Sequence, residues 1–161
     1  MNQSPARVQR FILHSRSEPE LGGQKQVSIL IVEDNPADVI LVRKALEEYG
    51  VAGELTLLMD GEAAIRFVGH RDRALSRRPD LVIIDLNVPK KDGRLVLECV
   101  RNTEWCRTAP VVILSSSDAQ QDRDDTARLG ASRYIRKPSR LDDFLELGAI
   151  FGSIMGTGDT P

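Results

Sequence analysis

The segment Asp80-Leu-Val-Ile-Ile-Asp85 constrains this chain most: an unbroken apolar, largely β-branched run bounded by carboxylates and preceded by Pro79. The run is too short for a buried helix and has no polar face, so it predicts a strand covered on both sides. Strands of that kind belong to parallel sheets, and parallel neighbours need crossover connections, usually helices. The rest of the chain supplies them. Residues 27–32 form a second β-branched apolar run. Asn35 then offers an N-cap, and Pro36 sits at the first helical position, where a missing N–H is tolerated. That helix is expected to reach about residue 49, with Val39, Val42, Leu46 and Tyr49 on one stripe and Gly50 and Gly53 after its end. Residues 55–59 predict a strand, and Asp60-Gly61 turns into a helix carrying Ala64, Phe67 and Val68. After the 80–85 strand come a loop over 86–93, a helix with Val96, Leu97 and Val100, and a strand at 110–114. A polar helix over about 118–129 stops at Gly130, a short strand spans 132–136, and a last helix spans about 141–155.

Five βα units with apolar strands predict an α/β fold: a doubly wound parallel sheet with helices on both faces. Right-handed crossovers leave few topologies, and the common five-strand solution is the flavodoxin-like (βα)5 arrangement with strand order 2-1-3-4-5. The 161 residues suffice for one domain and one substantial core. Residues 1–26, rich in Ser, Gln, Glu, Pro and Gly, read as a disordered N-terminal extension or an expression remnant, with a functional arm as the other reading. The domain is expected over 27–155 and a flexible tail over 156–161.

Lys and Arg number 22 against 24 Asp and Glu, so the chain lacks the basic excess of a stand-alone nucleic-acid binder. Cys99 and Cys106 form neither a CxxC pair nor a disulfide framework, which suits a reducing cytosol. Phe11-Ile12-Leu13 is too short for a signal-peptide core, and no run approaches the roughly 18 apolar residues of a membrane helix. A cytoplasmic protein without membrane contact is expected.

In such a sheet ligands bind beyond the carboxyl ends of the strands, at the switch point of strand order. The ends here carry Glu33-Asp34, Asp85 with Asn87 two residues on, Ser115-Ser116, and Lys137. Two carboxylates about 4 Å apart repel by roughly 1 kcal/mol in water and about 4 kcal/mol at an effective dielectric near 20. Three such groups must protonate or find a cation. With oxygen donors only, and no histidine or cysteine at these ends, the pattern suits Mg2+ rather than zinc.

These residues resemble those of bacterial response-regulator receiver domains, over about 27–155. The likeness runs in order through Glu33-Asp34, Asp85-Leu-Asn-Val-Pro-Lys-Lys-Asp-Gly93, Ser115, Tyr134 and Lys137-Pro138. It implies that Asp85 is the phosphoacceptor, attacking a phosphohistidine of a sensor kinase to give an aspartyl phosphate. It further implies Asp34 and Asp85 as direct Mg2+ ligands, Glu33 acting through water, and a backbone carbonyl from Asn87. Lys137 would pair with a phosphoryl oxygen, Ser115 would follow the phosphoryl group, and Tyr134 would turn inward on activation. The Lys137–Pro138 peptide would be cis. The wording around Glu33 and Asp85 is similar to that of single-domain regulators paired with bacterial phytochrome kinases.

Other readings make definite demands. A metal-free pseudo-receiver that only binds partners would not need the acids, Ser115 and Lys137. An aspartate-nucleophile phosphatase needs a second Asp where Asn87 stands. A flavin carrier needs a Ser/Thr/Gly phosphate cradle where Glu33-Asp34 would repel one, and no P-loop string occurs. With no further domain after residue 155, output is expected through protein contact, dimerisation or relay rather than DNA.

Three further expectations concern surfaces. Ile40 points away from the first helix's core stripe and is a candidate kinase-docking residue. The polar helix is either a mobile switch element or a helix merely lying on the surface. The last helix spreads Leu147, Ile150, Phe151 and Ile154 over a wide arc, with Gly148 and Gly152 four apart. That suggests a homodimer face, or glycines that only pack against the domain itself.

Overall fold

The computed structural model describes residues 8–16, 23–70 and 77–157. Its six strands are β1 (Val8–Leu13), β2 (Gln26–Val32), β3 (Ala52–Leu58), β4 (Leu81–Ile84), β5 (Val111–Ser115) and β6 (Arg133–Arg136). They form one sheet in the order β1-β3-β2-β4-β5-β6. The five strands from β2 to β6 are parallel and keep the expected 2-1-3-4-5 order. The apolar runs divide with a period of two, as a sheet buried on both faces requires. Ile29, Ile31, Leu81 and Ile83 face one core, while Leu30, Val32, Val82 and Ile84 face the other.

Helices α1 (Pro36–Glu48), α5 (Leu141–Leu145) and α6 (Leu147–Met155) cover the first core. Helices α2 (Gly61–Gly69) and α3 (Gly93–Asn102) cover the second, and α4 (Gln120–Arg128) lies beside α3. The cap of α1 forms as expected: the Asn35 side chain accepts from the Ala37 N–H at 3.0 Å, with Pro36 in the first turn. Val39, Val42 and Leu46 are buried, whereas Tyr49, expected on the same stripe, is the C-cap residue and is exposed. Cys99 is half-buried and Cys106 is buried, its thiol donating to the Val100 carbonyl at 3.4 Å. Among the described residues no helix is long and apolar enough to cross a membrane.

Two expectations are corrected. Residues 8–13, read as part of a disordered extension, form β1, which pairs antiparallel with β3 from Val8↔Leu58 to Leu13↔Gly53. Leu13 is buried in the first core, and Phe11 packs against it beneath the Arg43 guanidinium, 4.4 Å from the ring centre. The strand is short and amphipathic, and its backbone partners on β3 lie 40 to 50 residues further along the chain. The rest of the 1–26 expectation lies partly outside the described residues.

The last helix is the second correction. It breaks at Glu146 into α5 and α6, and Leu147 and Phe151 of the expected dimer face are core residues, 5% and 0% exposed. Ile150 and Ile154 are half-buried against the same core. The wide apolar arc is spent on two neighbours at once, the sheet and α1. Gly148 makes the second contact possible: a Cβ there would stand 2.0 Å from the Ala45 carbonyl oxygen of α1.

Candidate functional site

The parallel ladder continues for one residue past each strand end and so aims the side chains that follow. The Glu33 N–H donates to the Leu58 carbonyl at 3.1 Å, the Asp85 N–H to Val32 at 3.0 Å, and the Lys137 N–H to Ser115 at 2.8 Å. Gly93 lets the start of α3 press on this edge, because a Cβ there would lie 2.5 Å from the Asp85 carbonyl oxygen. Glu33, Asp85 and Ser115 are consequently buried at 2%, 5% and 0% exposure. Carboxylate oxygens of Glu33, Asp34 and Asp85 lie within 4.8 Å of one another.

Lys137 spans this cluster. Its Nζ donates to Glu33 Oε2 at 2.8 Å, to Asp85 Oδ2 at 2.9 Å and to Asp38 Oδ2 at 2.7 Å. An ammonium has three N–H donors, so all are engaged. The opposite oxygens of the two buried acids are held by backbone: Asn35 N–H donates to Glu33 Oε1 and Asn87 N–H to Asp85 Oδ1, each at 3.0 Å. Burial pushes the Glu33 carboxyl up to about 7, against the pull of Lys137 and the Asn35 N–H. Burial acts to lower Lys137, but its bonds to Asp38, Asp85 and Glu33 outweigh it and the net shift is upward. One ammonium thus holds three carboxylates, Glu33, Asp38 and Asp85, and Asp34 adds a fourth acid beside Glu33 and Asp85, so the acids outnumber the cation among them. The donor set is all oxygen, includes no histidine or cysteine, and opens to solvent through the half-buried Asp34, which fits a hard divalent cation.

A second group of side chains leads away from the pocket. Ser115 Oγ accepts from the Ser117 N–H at 3.2 Å, and the Tyr134 hydroxyl donates to the Ser117 carbonyl at 3.0 Å. Ser117 Oγ donates to Asp122 of α4, whose other oxygen accepts from Arg94 of α3. Arg94 also reaches Asp92 at 3.1 Å and Asp125 at 3.8 Å. The Arg123 guanidinium lies 4.6 Å from the Tyr134 ring centre, and Tyr134 itself packs on the second core.

The residues expected at the strand ends thus come together: Glu33, Asp34, Asp85, Ser115 and Lys137, with Asn87 beside Asp85 through its N–H. Tyr134 is linked to Ser115 by way of Ser117. Ile40 stands apart, 51% exposed on the outer face of α1. One expectation is corrected: the Lys137–Pro138 peptide is trans, like every described peptide bond. Sequence reasoning missed Asp38, Arg94, Ser117 and Asp122. Asp38 did carry a signal, since the first turn of a helix leaving a ligand-binding strand end lies at the site's rim. Ser117 and Asp122 are five residues apart and meet at the start of α4, while nothing local marks Arg94, which reaches Asp122 only when α3 and α4 pack side by side.

Known proteins resemble this chain in sequence and fold. The response regulator receiver domain family matches residues 29–147. The chain is 37% identical over 120 residues to the response regulator Rcp1 of Synechocystis sp., covering 74% of this chain and 82% of the relative. It superposes on the phosphorylated cyanobacterial phytochrome response regulator RcpA with a TM-score of 0.76 at 33% identity, covering 85% of this chain and 99% of that one. The Mn(2+)-bound form of Rcp1 superposes with a TM-score of 0.74 at 34% identity, covering 84% and 99%. With most of its length matched, the chain belongs to the response regulator receiver domain family.

Proposed function

We propose that this chain is a two-component response regulator that accepts a phosphoryl group on Asp85 from a sensor histidine kinase of the phytochrome class, in a reaction requiring Mg2+. The observation that carries the reading is the pocket's charge: a buried Asp85 carboxylate under the Lys137 ammonium, within a surplus of acids that calls for a further cation. Asp34 and Asp85 would hold the Mg2+ directly, Glu33 through water, and Asn87 through its carbonyl. The cation would supply positive charge against the carboxylates and the incoming phosphoryl oxygens.

The chain's own groups do the rest. An Asp85 oxygen forms the new O–P bond as the P–N bond to the kinase histidine breaks, and the departing imidazole keeps its electron pair and takes a proton from water. Lys137 shifts its Asp85 hydrogen bond to a phosphoryl oxygen. The Ser115 hydroxyl, two residues from Ser117 and bonded to its N–H, turns toward the same group and gives up that bond. Tyr134 and α4, both tied to Ser117, then lose part of their anchorage. Kinase pairing of the phytochrome kind is supported by the likeness to Rcp1 and RcpA. The reading includes a cytoplasmic location and an output through protein contact.

The test is Asp85→Asn, nearly isosteric but unable to form an acyl phosphate. Incubation with acetyl phosphate and Mg2+ should label the wild type and leave the variant unlabelled with its thermal transition intact. Stable label on the Asn variant would refute the assignment.

A further inference from the structure

Lys137 has work to do at the phosphoryl group, yet two of its three acceptors, Glu33 and Asp85, are acids that the cation and phosphoryl chemistry also claim. The third is different in kind. Asp38 stands on the first turn of α1, is absent from the group of acids close enough to share a metal ion, and makes the shortest of the three bonds, 2.7 Å. The side chains are largely withdrawn from solvent, 12% exposed for Lys137 and 18% for Asp38. The lysine stem is flexible and loses much rotamer freedom when its tip is fixed. If Glu33 and Asp85 were its only partners, their engagement elsewhere would release the ammonium at the step that needs it in place.

We infer that Asp38 is a positioning residue for phosphoryl transfer: its carboxylate keeps the Lys137 ammonium over Asp85 while Glu33 and Asp85 turn to the cation and the phosphoryl group. The inference rests on the reading of Asp85 and Lys137 proposed above. Asp38 touches no reacting atom. It acts as an outer partner does at a metal site, holding a working group at its productive place. A plain alternative is that Asp38 merely complements the positive end of the α1 dipole. That role needs no Lys137, so dependence on Lys137 separates the two.

The experiment is a double-mutant cycle with Asp38→Asn, Lys137→Met and their combination, each checked by thermal melting. Phosphorylation of Asp85 by acetyl phosphate is followed at saturating Mg2+. In the wild-type background Asp38→Asn should slow it about tenfold, the scale of one lost charge-assisted hydrogen bond. In the Lys137→Met background the same change should alter the rate by less than about twofold, because the group it positions is gone. Asp38→Glu should recover part of the loss. A readout independent of turnover uses 15N-lysine labelling: the Mg2+-loaded wild type should show a protected Lys137 ammonium signal that Asp38→Asn abolishes. Equal slowing in both backgrounds, or an ammonium signal unchanged by Asp38→Asn, would overturn the proposal. A wild type that takes no label on Asp85 would defeat the functional reading instead, leaving the ammonium signal to judge Asp38 by itself.

Discussion

Helices α1 and α4 both start near the acidic pocket, and they are held by opposite means. α1 buries Val39, Val42, Ala45 and Leu46, is capped by Asn35, and has α5 and α6 packed along it. α4 buries only Thr126 and has no side-chain N-cap. It is fastened by directional contacts: Asp122 to Arg94 and Ser117, Asp125 to Arg94 at 3.8 Å, and Arg123 against the Tyr134 ring. Buried apolar area has no direction, so no single rotation of a hydroxyl can undo it. A lattice of charged hydrogen bonds has close alternatives in water, and α4's lattice ends one residue pair from Ser115. The difference predicts a fixed wall of the pocket on the α1 side and a responsive element on the α4 side.

Stability measurements should break or sharpen this contrast most visibly. Leu46→Ala in α1 should cost about 2–5 kcal/mol in urea unfolding, as deletion from a packed core does. Ala127→Gly, on the exposed side of α4, should cost about 1 kcal/mol, the helix-propensity difference alone. Similar losses at the two sites would mean that α4 is as firmly built in as α1.

A functional contrast comes next in size. Ile40→Glu changes the outer face of α1 without touching its buried stripe, and should slow transfer from the cognate kinase about tenfold, the size of one interface contact. The rate with acetyl phosphate should stay at the wild-type value. Parallel loss with both donors would place the damage in the fold rather than at docking.

The smallest effect is the most specific. Arg94→Ala removes α4's link to α3, where the two charged side chains are 28% and 20% exposed. Global stability should change by less than about 1 kcal/mol. Amide exchange across 120–128 should nonetheless quicken about fivefold, with 36–48 unaffected. Unchanged protection on α4 would show that its anchorage lies elsewhere.

The parallel strands and the acids at their ends were legible from the chain alone because each signal is local. A strand buried on both faces must be an apolar run such as residues 81–84, and the strand-end rule then says where Asp85 and Lys137 lie. β1 was not legible in the same way. A single edge strand in a polar segment gains its structure from a neighbour, and that neighbour is β3.

The apolar arc of the last helix was drawn on one continuous helix that in fact breaks at Glu146, and a helical wheel does not say how many surfaces will cover an arc. Only the packing of α6 between the sheet and α1 showed Leu147 and Phe151 to be core. The same holds for the polar contacts. Residue type and strand position determined which groups could do phosphoryl chemistry. Tertiary structure alone decided that Asp38, 99 positions from Lys137, would share its ammonium, and that Asp122 would meet Arg94. A hydrogen bond between distant segments has no local signature, because the chain that closes the gap is the whole fold.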